Sequence, residues 1–567
     1  MSTSPATAFA TRLLGGLIEH GLTDLVIAPG SRSQALALAA LEFEKQGALR
    51  VHVRIDERAG AFLALGIALE TNRAVAIVTT SGTAVANLHP AILEANHAGV
   101  PLIALTADRP VELRGIGSNQ TTRQPDIFGS AVRLSVDVPA PVDPESALAA
   151  TTLAADAWQS AMGATDGIGA GPVQLNLAFR EPLSGASDGE VSAVVPGSAA
   201  GNGVGEAARP AFVLDRAKRT LVIAGSGAGP AAEELAHQGG WPLIAEIASA
   251  SRYGRNLVPA YREVLRQSEL TDALERVVVF GHPTLSREIP ALLAGREGLE
   301  IVIVRSRAGE VFNPGHRASH IADAVEVPAG DIDTAWLGTW MRAGHAAHDA
   351  WLARYEAANP AAIAPNVDLS RSTDINDMRE FANAELAAAK SPVTRELLVD
   401  AVWRSSWPHD RLLFGASRLV RVADRTLGGK KIPVFSNRGL AGIDGTISTG
   451  VGIALASGAH TRVLLGDLAA LHDAGGMLIG SLESRPRIQV IVGNDGGGSL
   501  FDSLELAQSA DAGALDRAFF TPHEVDFAAL ATAYGWEHVR VQTASELERA
   551  LTQPADGPQL VEVLLSR

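Results

Sequence analysis

Short apolar runs alternate with stretches of helical spacing along almost the whole chain. Leu25-Val-Ile-Ala28, Val75-Ala-Ile-Val78, Leu102-Ile-Ala-Leu105, Leu221-Val-Ile-Ala224, Val277-Val-Val-Phe280, Ile301-Val-Ile-Val304, Val463-Leu-Leu465 and Val490-Ile-Val492 read as strands. Each is followed by small or polar residues and then by a helical pattern. That rhythm predicts βαβ units in mostly parallel sheets, an α/β fold. Ligands of such sheets sit at the carboxyl ends of strands, so the residues just after each run matter most.

Two stretches break the rhythm. Residues 184–209 are rich in Gly, Ala and Ser, and residues 359–377 are weakly patterned. A length of 567 residues fits about three to four domains. The breaks predict three: 1–185, 210–365 and 380–567, with 186–209 as a linker. The first and third look like copies. Gly30 in Leu25-Val-Ile-Ala-Pro-Gly30 matches Gly415 in Arg411-Leu-Leu-Phe-Gly415, 385 residues on. Gly66 and Gly452 each begin a Gly-Ile-Ala-Leu and lie 386 residues apart. A nearly constant offset over several elements points to duplication, so the expected fold is three doubly wound parallel-sheet domains, the first and third alike. A ligand gripped between the two copies is the natural consequence.

Composition narrows the chemistry. Apolar residues make up 47 % and charged residues 19 %, as in an ordinary globular chain. Asp and Glu outnumber Lys and Arg by 63 to 47, for a net charge of −16. Nucleic acid and anionic membrane surfaces demand the opposite field. No run is long and apolar enough for membrane insertion, and the first ten residues lack the pattern of a signal peptide, so a cytoplasmic setting is expected. There is no cysteine, which removes disulfides, thiolate nucleophiles and Cys-held metals. An anionic substrate would need local clusters of arginine.

The strongest local signal lies in the third part. Gly466-Asp467 ends one strand, and 27 residues after Asp467 the run Asn494-Asp495-Gly496-Gly497-Gly498 ends the next. Either motif alone is ordinary turn chemistry. Together, on neighbouring strands, they converge hard oxygen ligands: Asp467, the side chain of Asn494 or Asp495, and a carbonyl such as that of Gly497. Mg²⁺ (or Mn²⁺) favours such a set and keeps water and phosphate oxygens in its shell. The glycines let backbone approach a diphosphate. In the first part Glu57 follows the run Val51-His-Val-Arg-Ile-Asp56. It is either a helix N-terminal acid placed for the helix dipole or a carboxylate set against a heterocycle.

These motifs resemble those of the thiamine-diphosphate-dependent enzymes, over essentially the whole chain. Within that family the likeness is to the branch acting in menaquinone (vitamin K2) biosynthesis. It is carried by Pro29-Gly-Ser-Arg-Ser33, Arg54-Ile-Asp-Glu-Arg58, Thr80-Ser-Gly-Thr-Ala-Val-Ala-Asn87, Thr106-Ala-Asp-Arg-Pro110 and Gly117-Ser-Asn-Gln120. Ser436-Asn-Arg-Gly439, Gly442-Ile-Asp-Gly445 and Gly466-Asp-Leu468 complete it. The resemblance implies a transferase that decarboxylates 2-oxoglutarate and adds the resulting four-carbon carbanion to isochorismate. It implies thiamine diphosphate with Mg²⁺, and a homodimer or dimer of dimers, because the family's cofactor lies between the first lobe of one subunit and the third of another.

By the same resemblance Glu57 would bond a ring nitrogen of the aminopyrimidine and favour its imino tautomer. Ile443 would be the apolar wedge that bends the cofactor. Pro29, Ser81, Gly82, Asn87, Ser417, Gly442, Gly466, Asp467, Leu468, Asn494, Gly497 and Gly498 would line the cofactor. Ser31, Arg32, Arg109, Asn119, Gln120, Arg287, Arg421 and Arg438 would bind the two dicarboxylates, for which arginine forks are suited. Leu468 stands where the wider family has glycine, Asp495 where many relatives have asparagine, and His282 where relatives have arginine. Two other readings stay open: a pyruvate-using synthase or decarboxylase of this family, and a non-catalytic effector-binding protein on the same scaffold. Ala224-Gly-Ser-Gly-Ala-Gly229 hints at a dinucleotide loop but lacks the full spacing, so a tight strand-to-helix turn is expected there.

Overall fold

The computed structural model describes residues 4–143, 146, 148–164, 169–185, 211–305, 310–359, 375–553 and 555–567. The first sheet holds β1 (Asp24–Ile27), β2 (Arg50–Val53), β3 (Val75–Thr79), β4 (Leu102–Asp108), β5 (Ser135–Val138) and β6 (Val173–Ala178). Next come β7 (Phe212–Val213), β8 (Thr220–Ala224), β9 (Leu243–Ala245), β10 (Arg276–Phe280), β11 (Glu300–Val304), β12 (His320–Ala322) and β13 (Val325–Glu326). The third sheet holds β14 (Arg411–Phe414), β15 (Val434–Phe435), β16 (Thr461–Gly466), β17 (Ile488–Asn494), β18 (Glu537–Val541) and β19 (Gln559–Leu564). Each of the eight apolar runs falls on one of these strands.

The strand orders are β2-β1-β3-β4-β6-β5 for the first sheet, β12-β11-β10-β8-β9 for the middle one and β15-β14-β16-β17-β19-β18 for the third, with β7 and β13 paired apart. Every ladder among them is parallel. Numbered within each lobe, the first and third orders are the same, which is the duplication seen as topology. In each sheet the order turns at its first strand, between β1 and β3, between β8 and β10, and between β14 and β16, and the two outer sheets turn again at β6 and β19. A crevice opens at the carboxyl ends of strands where such a reversal occurs.

The outer lobes share one apolar core, in which Ala61, Phe62, Leu65 and Ile92 of the first meet Leu413, Ile447, Val451 and Val490 of the third. Its centre is the contact between the Glu57–Thr71 and Thr446–Ser457 helices. Glycine inside a helix costs about 1 kcal/mol relative to alanine, yet each helix carries one where they touch. A Cβ on Gly66 would lie 2.1 Å from the Thr449 carbonyl oxygen, and one on Gly452 would lie 2.2 Å from that of Leu63. The repeated Gly-Ile-Ala-Leu therefore marks two backbones in direct contact.

The middle lobe has its own core around Val222, Ile244, Val278 and Trp340. It joins the third lobe through buried Asp424, which accepts from Ile247 N–H (2.9 Å), Tyr261 O–H (2.7 Å) and Arg262 Nη2 (2.8 Å). The glycine-rich run after β8 is a tight turn, as expected. Ser226 and His282 form a bridge across it, and a Cβ on Gly225 would lie 2.1 Å from Pro283 N. The expected linker 186–209 lies outside the described residues, as does most of 359–377, whose last three residues begin the Ile375–Lys390 helix. Among the described residues no helix is long and apolar enough to cross a membrane.

Candidate active site

The crevice between β1 and β3 gathers the first-lobe candidates. Gly30 sits on Thr80, where a Cβ would be 2.2 Å from the threonine Cβ. This close approach sets the loop after β1, carrying exposed Pro29 and Ser31, against the loop after β3. Arg109, which follows β4, donates from Nη1 to Ser81 Oγ and to the Gln120 carbonyl (2.7 Å). Gln120 returns its amide to the Ser81 carbonyl at 3.0 Å. Gly82 adopts φ +83° and donates its N–H to Gln124 Oε1 at 2.9 Å. Asn119 is exposed beside this cluster. Arg32 donates to the Phe179 carbonyl at 3.1 Å. Burial, then the neighbouring charge of Arg32, pushes the Arg109 guanidinium below its ordinary value, and an anion placed here would relieve both effects.

Glu57 begins its helix, but it is not the cap. Asp56 does that work, accepting from Arg58 N (2.9 Å) and Ala59 N (3.3 Å). The Glu57 carboxylate is left half-buried with one long bond, 3.5 Å, from Asn87 Nδ2. Of the two readings of this acid, the capping role is taken by its neighbour. Next to it, Arg58 reaches the His472 carbonyl of the third lobe at 2.8 Å.

The crevice between β14 and β16 gathers the rest. Ser417 takes φ +98°, ψ −139°, a region that glycine occupies freely and other residues hold at a cost. Its carbonyl accepts Arg421 Nη1 at 2.6 Å. Arg438 is 3 % exposed and donates from Nε and Nη2 to Thr284 Oγ1, at 3.0 and 2.6 Å. Gly442 and Ile443 lie on the turn before the Thr446–Ser457 helix, Ile443 against the shared core. That turn is pressed on the first lobe, since a Cβ on Gly445 would overlap the Phe62 ring at 1.9 Å.

Gly466 caps the Asp467–His472 helix. Asp467 is buried, accepting Leu468 N–H on Oδ1 (2.7 Å) and facing His523 Nε2 with Oδ2 (3.1 Å). Burial, then the charge of Asp495, pushes the Asp467 carboxyl up. Asn494 donates to Glu562 (2.8 Å) and accepts Gly496 N–H on Oδ1 (3.1 Å). Asp495 spends Oδ2 on Arg395 and Ser499. Gly497 and Gly498 run against residues 519 and 520, where Cβ atoms would lie 2.4 and 2.7 Å from carbonyl oxygens. Arg287 is exposed and paired with Glu505 at 3.0 Å.

This set suits a divalent cation held with a diphosphate. A carboxyl pushed up by burial and by a neighbouring carboxylate calls for positive charge beside it. Among the described residues no trio of His, Cys, Asp or Glu is arranged for a metal. A Mg²⁺ held here by Asp467 and Asn494 would take the rest of its shell from phosphate and water, as Mg²⁺ commonly does. Thr284, His523, Arg395 and Gln124 are partners that the sequence did not single out. Only Thr284 carried a signal, as a residue on the loop after β10.

Fold and site together define a thiamine-diphosphate-dependent enzyme. A family model described as "Thiamine pyrophosphate enzyme, N-terminal TPP binding domain" matches residues 8–130, and its C-terminal TPP binding counterpart matches residues 429–563. Over its full length the chain is 53 % identical to a 2-succinyl-5-enolpyruvyl-6-hydroxy-3-cyclohexene-1-carboxylate synthase of Leifsonia xyli, covering 97 % of that protein. Proteins of the same name from Clavibacter michiganensis and Kineococcus radiotolerans are 52 % and 44 % identical, again over all of this chain and 97 % and 96 % of theirs. The chain belongs to this synthase family of menaquinone biosynthesis.

Proposed function

We propose that the protein decarboxylates 2-oxoglutarate and joins the remaining four-carbon unit to isochorismate, giving 2-succinyl-5-enolpyruvyl-6-hydroxy-3-cyclohexene-1-carboxylate. One observation supports this dicarboxylate reading above the others. The side-chain hydrogen bonds of Arg32, Arg109, Arg421 and Arg438 go to neutral oxygens, of Phe179, Ser81, Gln120, Ser417 and Thr284. Many arginines elsewhere in this acidic chain meet carboxylates, as in Arg50–Asp24, Arg114–Asp137 and Arg411–Glu70; others, such as Arg133, bond only neutral oxygens but lie before a strand, not after one. Guanidinium groups at strand ends that bond no carboxylate of the chain are suited to a dicarboxylate.

Asp467 and Asn494 would hold Mg²⁺, with Asp495 steadied by Arg395 and contributing charge. Gly466, Leu468, Gly497, Gly498 and Ser417 would line the diphosphate. Glu57, freed from capping, would share a proton with a ring nitrogen of the cofactor, Asn87 fixing its carboxylate. Ile443, Gly442, Pro29, Ser81 and Gly82 would orient and enclose it. When bound, thiamine diphosphate supplies the nucleophilic carbon and the electron sink, so the absence of cysteine is no handicap. Ser31, Asn119 and Gln120 would complete the substrate pocket, with Arg287 at its rim.

We assign a homodimer or dimer of dimers in the cytoplasm. The assembly is supported by Ile55 and Leu440, exposed by 71 % and 52 % beside Glu57 and Arg438, apolar positions suited to a covering subunit. The test is turnover by purified protein with thiamine diphosphate and Mg²⁺. CO₂ release from 2-oxoglutarate should rise strongly when isochorismate is added. Preference for pyruvate would move the reading to the other synthases of the family, and cofactor binding without turnover would favour an effector-binding role.

A further inference from the structure

The turn that carries Arg438 is gripped from two lobes by buried carboxyl groups. From the first lobe Glu94, on the His89–Ala98 helix, accepts the N–H of Gly439 (2.7 Å) and of Leu440 (2.8 Å). The approach is close: a Cβ on Gly439 would lie 2.6 Å from the Glu94 carbonyl oxygen. From the middle lobe Glu246, just after β9, accepts the N–H of Thr284 (3.0 Å) and of Leu285 (2.7 Å). Thr284 then takes two nitrogens of the Arg438 fork on Oγ1, Nη2 also reaching its carbonyl at 3.3 Å. The third nitrogen, Nη1, is buried and has no partner among the described residues.

Glu94 and Glu246 are 5 % and 1 % exposed, and neither forms a salt bridge within the described residues. Burial is the first cause pushing both carboxyl groups above their ordinary range, with the charge of Asp424 adding to it at Glu246. The bonded amides and the charge of Arg438 act the other way on both, but burying such groups without a salt-bridge partner costs stability. An apolar pair would pack the same space without that cost. What the arrangement achieves is a fixed position for one guanidinium.

We propose that Glu94, Glu246 and Thr284 are positioning residues that orient Arg438, so that Nη1 alone is presented to one oxygen of a substrate carboxylate. Glu94 fixes the backbone on one side of the arginine. Glu246 fixes the loop whose threonine holds two of its three nitrogens, leaving an end-on contact in place of a two-pronged one. This rests on the assignment of Arg438 to the dicarboxylate site.

A double-mutant cycle on the holoenzyme tests it. Thr284→Val removes the acceptor at nearly constant volume and is expected to raise the KM of one of the two carboxylate substrates by about ten-fold, the scale of one charge-assisted hydrogen bond. kcat and the affinity for thiamine diphosphate should stay within about two-fold, and Thr284→Ser should recover most of the loss. In an Arg438→Ala background Thr284→Val should add less than about two-fold. Glu246→Gln and Glu94→Gln, each keeping one acceptor, should follow the same pattern with smaller shifts. An undiminished Thr284→Val effect in the Arg438→Ala background would make the threonine merely structural and overturn the proposal. So would a Thr284→Val enzyme with unchanged KM beside an Arg438→Ala enzyme with a large defect. An Arg438→Ala enzyme with unchanged KM for both substrates would instead remove the dicarboxylate assignment on which the proposal stands.

Discussion

The middle and third sheets are both parallel and both turn their strand order at the first strand, β8 and β14, yet the crevices at those turns hold different things. Between β8 and β10 the chain fills the gap itself: Ser226 and His282 exchange backbone hydrogen bonds of 3.1 and 2.8 Å. Pro283 takes up the room where a side chain on Gly225 would lie. Between β14 and β16 lie Ser417 in a strained conformation, a buried Asp467 and a glycine run with Asn494. The arginines differ in the same sense. Arg252 and Arg262 of the middle lobe are paired with Asp424, whereas Arg421 and Arg438 of the third lean only on neutral oxygens. Topology supplies a crevice in each sheet, and the candidate site lies at the one lined by polar side chains and not filled by the chain itself.

The largest expected effect is at the metal loop. Asp467→Ala should weaken Mg²⁺-dependent binding of thiamine diphosphate by about 100-fold or more, the scale at which lost metal ligation is felt, as read by calorimetric titration. Ser226→Ala in the filled crevice should leave that affinity unchanged. A comparable loss at Ser226 would erase the distinction between the two sheets.

Two glycines compare lobe contacts next. Gly452→Ala pushes a methyl into the Leu63 carbonyl and should destabilise the protein by about 3 kcal/mol in urea unfolding. Gly225→Ala, meeting Pro283, should cost about 1–3 kcal/mol but spare cofactor affinity in the molecules that remain folded. A neutral Gly452→Ala would contradict the backbone contact between the outer lobes.

His460, at the amino end of β16, offers a pH signature away from the site. Burial, then Arg462, lowers its pKa from 6.5 to about 4. Its unfolded form therefore binds more protons than the folded one between those values, and stability falls as pH drops from 6.5 towards 4. His460→Gln should flatten that part of the unfolding profile without altering the cofactor's affinity. An unchanged slope would show that the histidine is not its source.

The smallest effect is expected at Arg287, whose pair with Glu505 is exposed and screened by solvent. Arg287→Ala should shift KM by no more than about two-fold, against tens of fold for Arg438→Ala. A large effect would draw Arg287 from the rim into the anion site.

Much of this was legible in the sequence because the signals are local. Strand runs buried on both faces, such as β3 and β4, are apolar without interruption, and motifs at their ends inherit a common edge. The repeated Gly-Ile-Ala-Leu was visible as a repeat, though not as two touching backbones, since an intrahelical glycine looks the same whether or not another helix covers it. Apart from the place of Thr284 on the loop after β10, the supporting residues were not legible. His523, Gln124, Arg395 and Thr284 reach the site from loops and helix starts with no periodic pattern, and each is defined by a partner distant in the chain. Glu94 was hidden by its setting: a glutamate on an apolar helix looks like a solvent-facing residue until the Gly439 turn is laid over it.

Glu57 carries the central claim, that the open crevices of the two copies act together on one cofactor. The decisive measurement is turnover of Glu57→Gln with 2-oxoglutarate and isochorismate, beside its affinity for thiamine diphosphate and Mg²⁺. The expected result is a rate lower by about 100-fold or more, with cofactor affinity within a few-fold of the parent. Near-normal turnover in that variant would contradict the account.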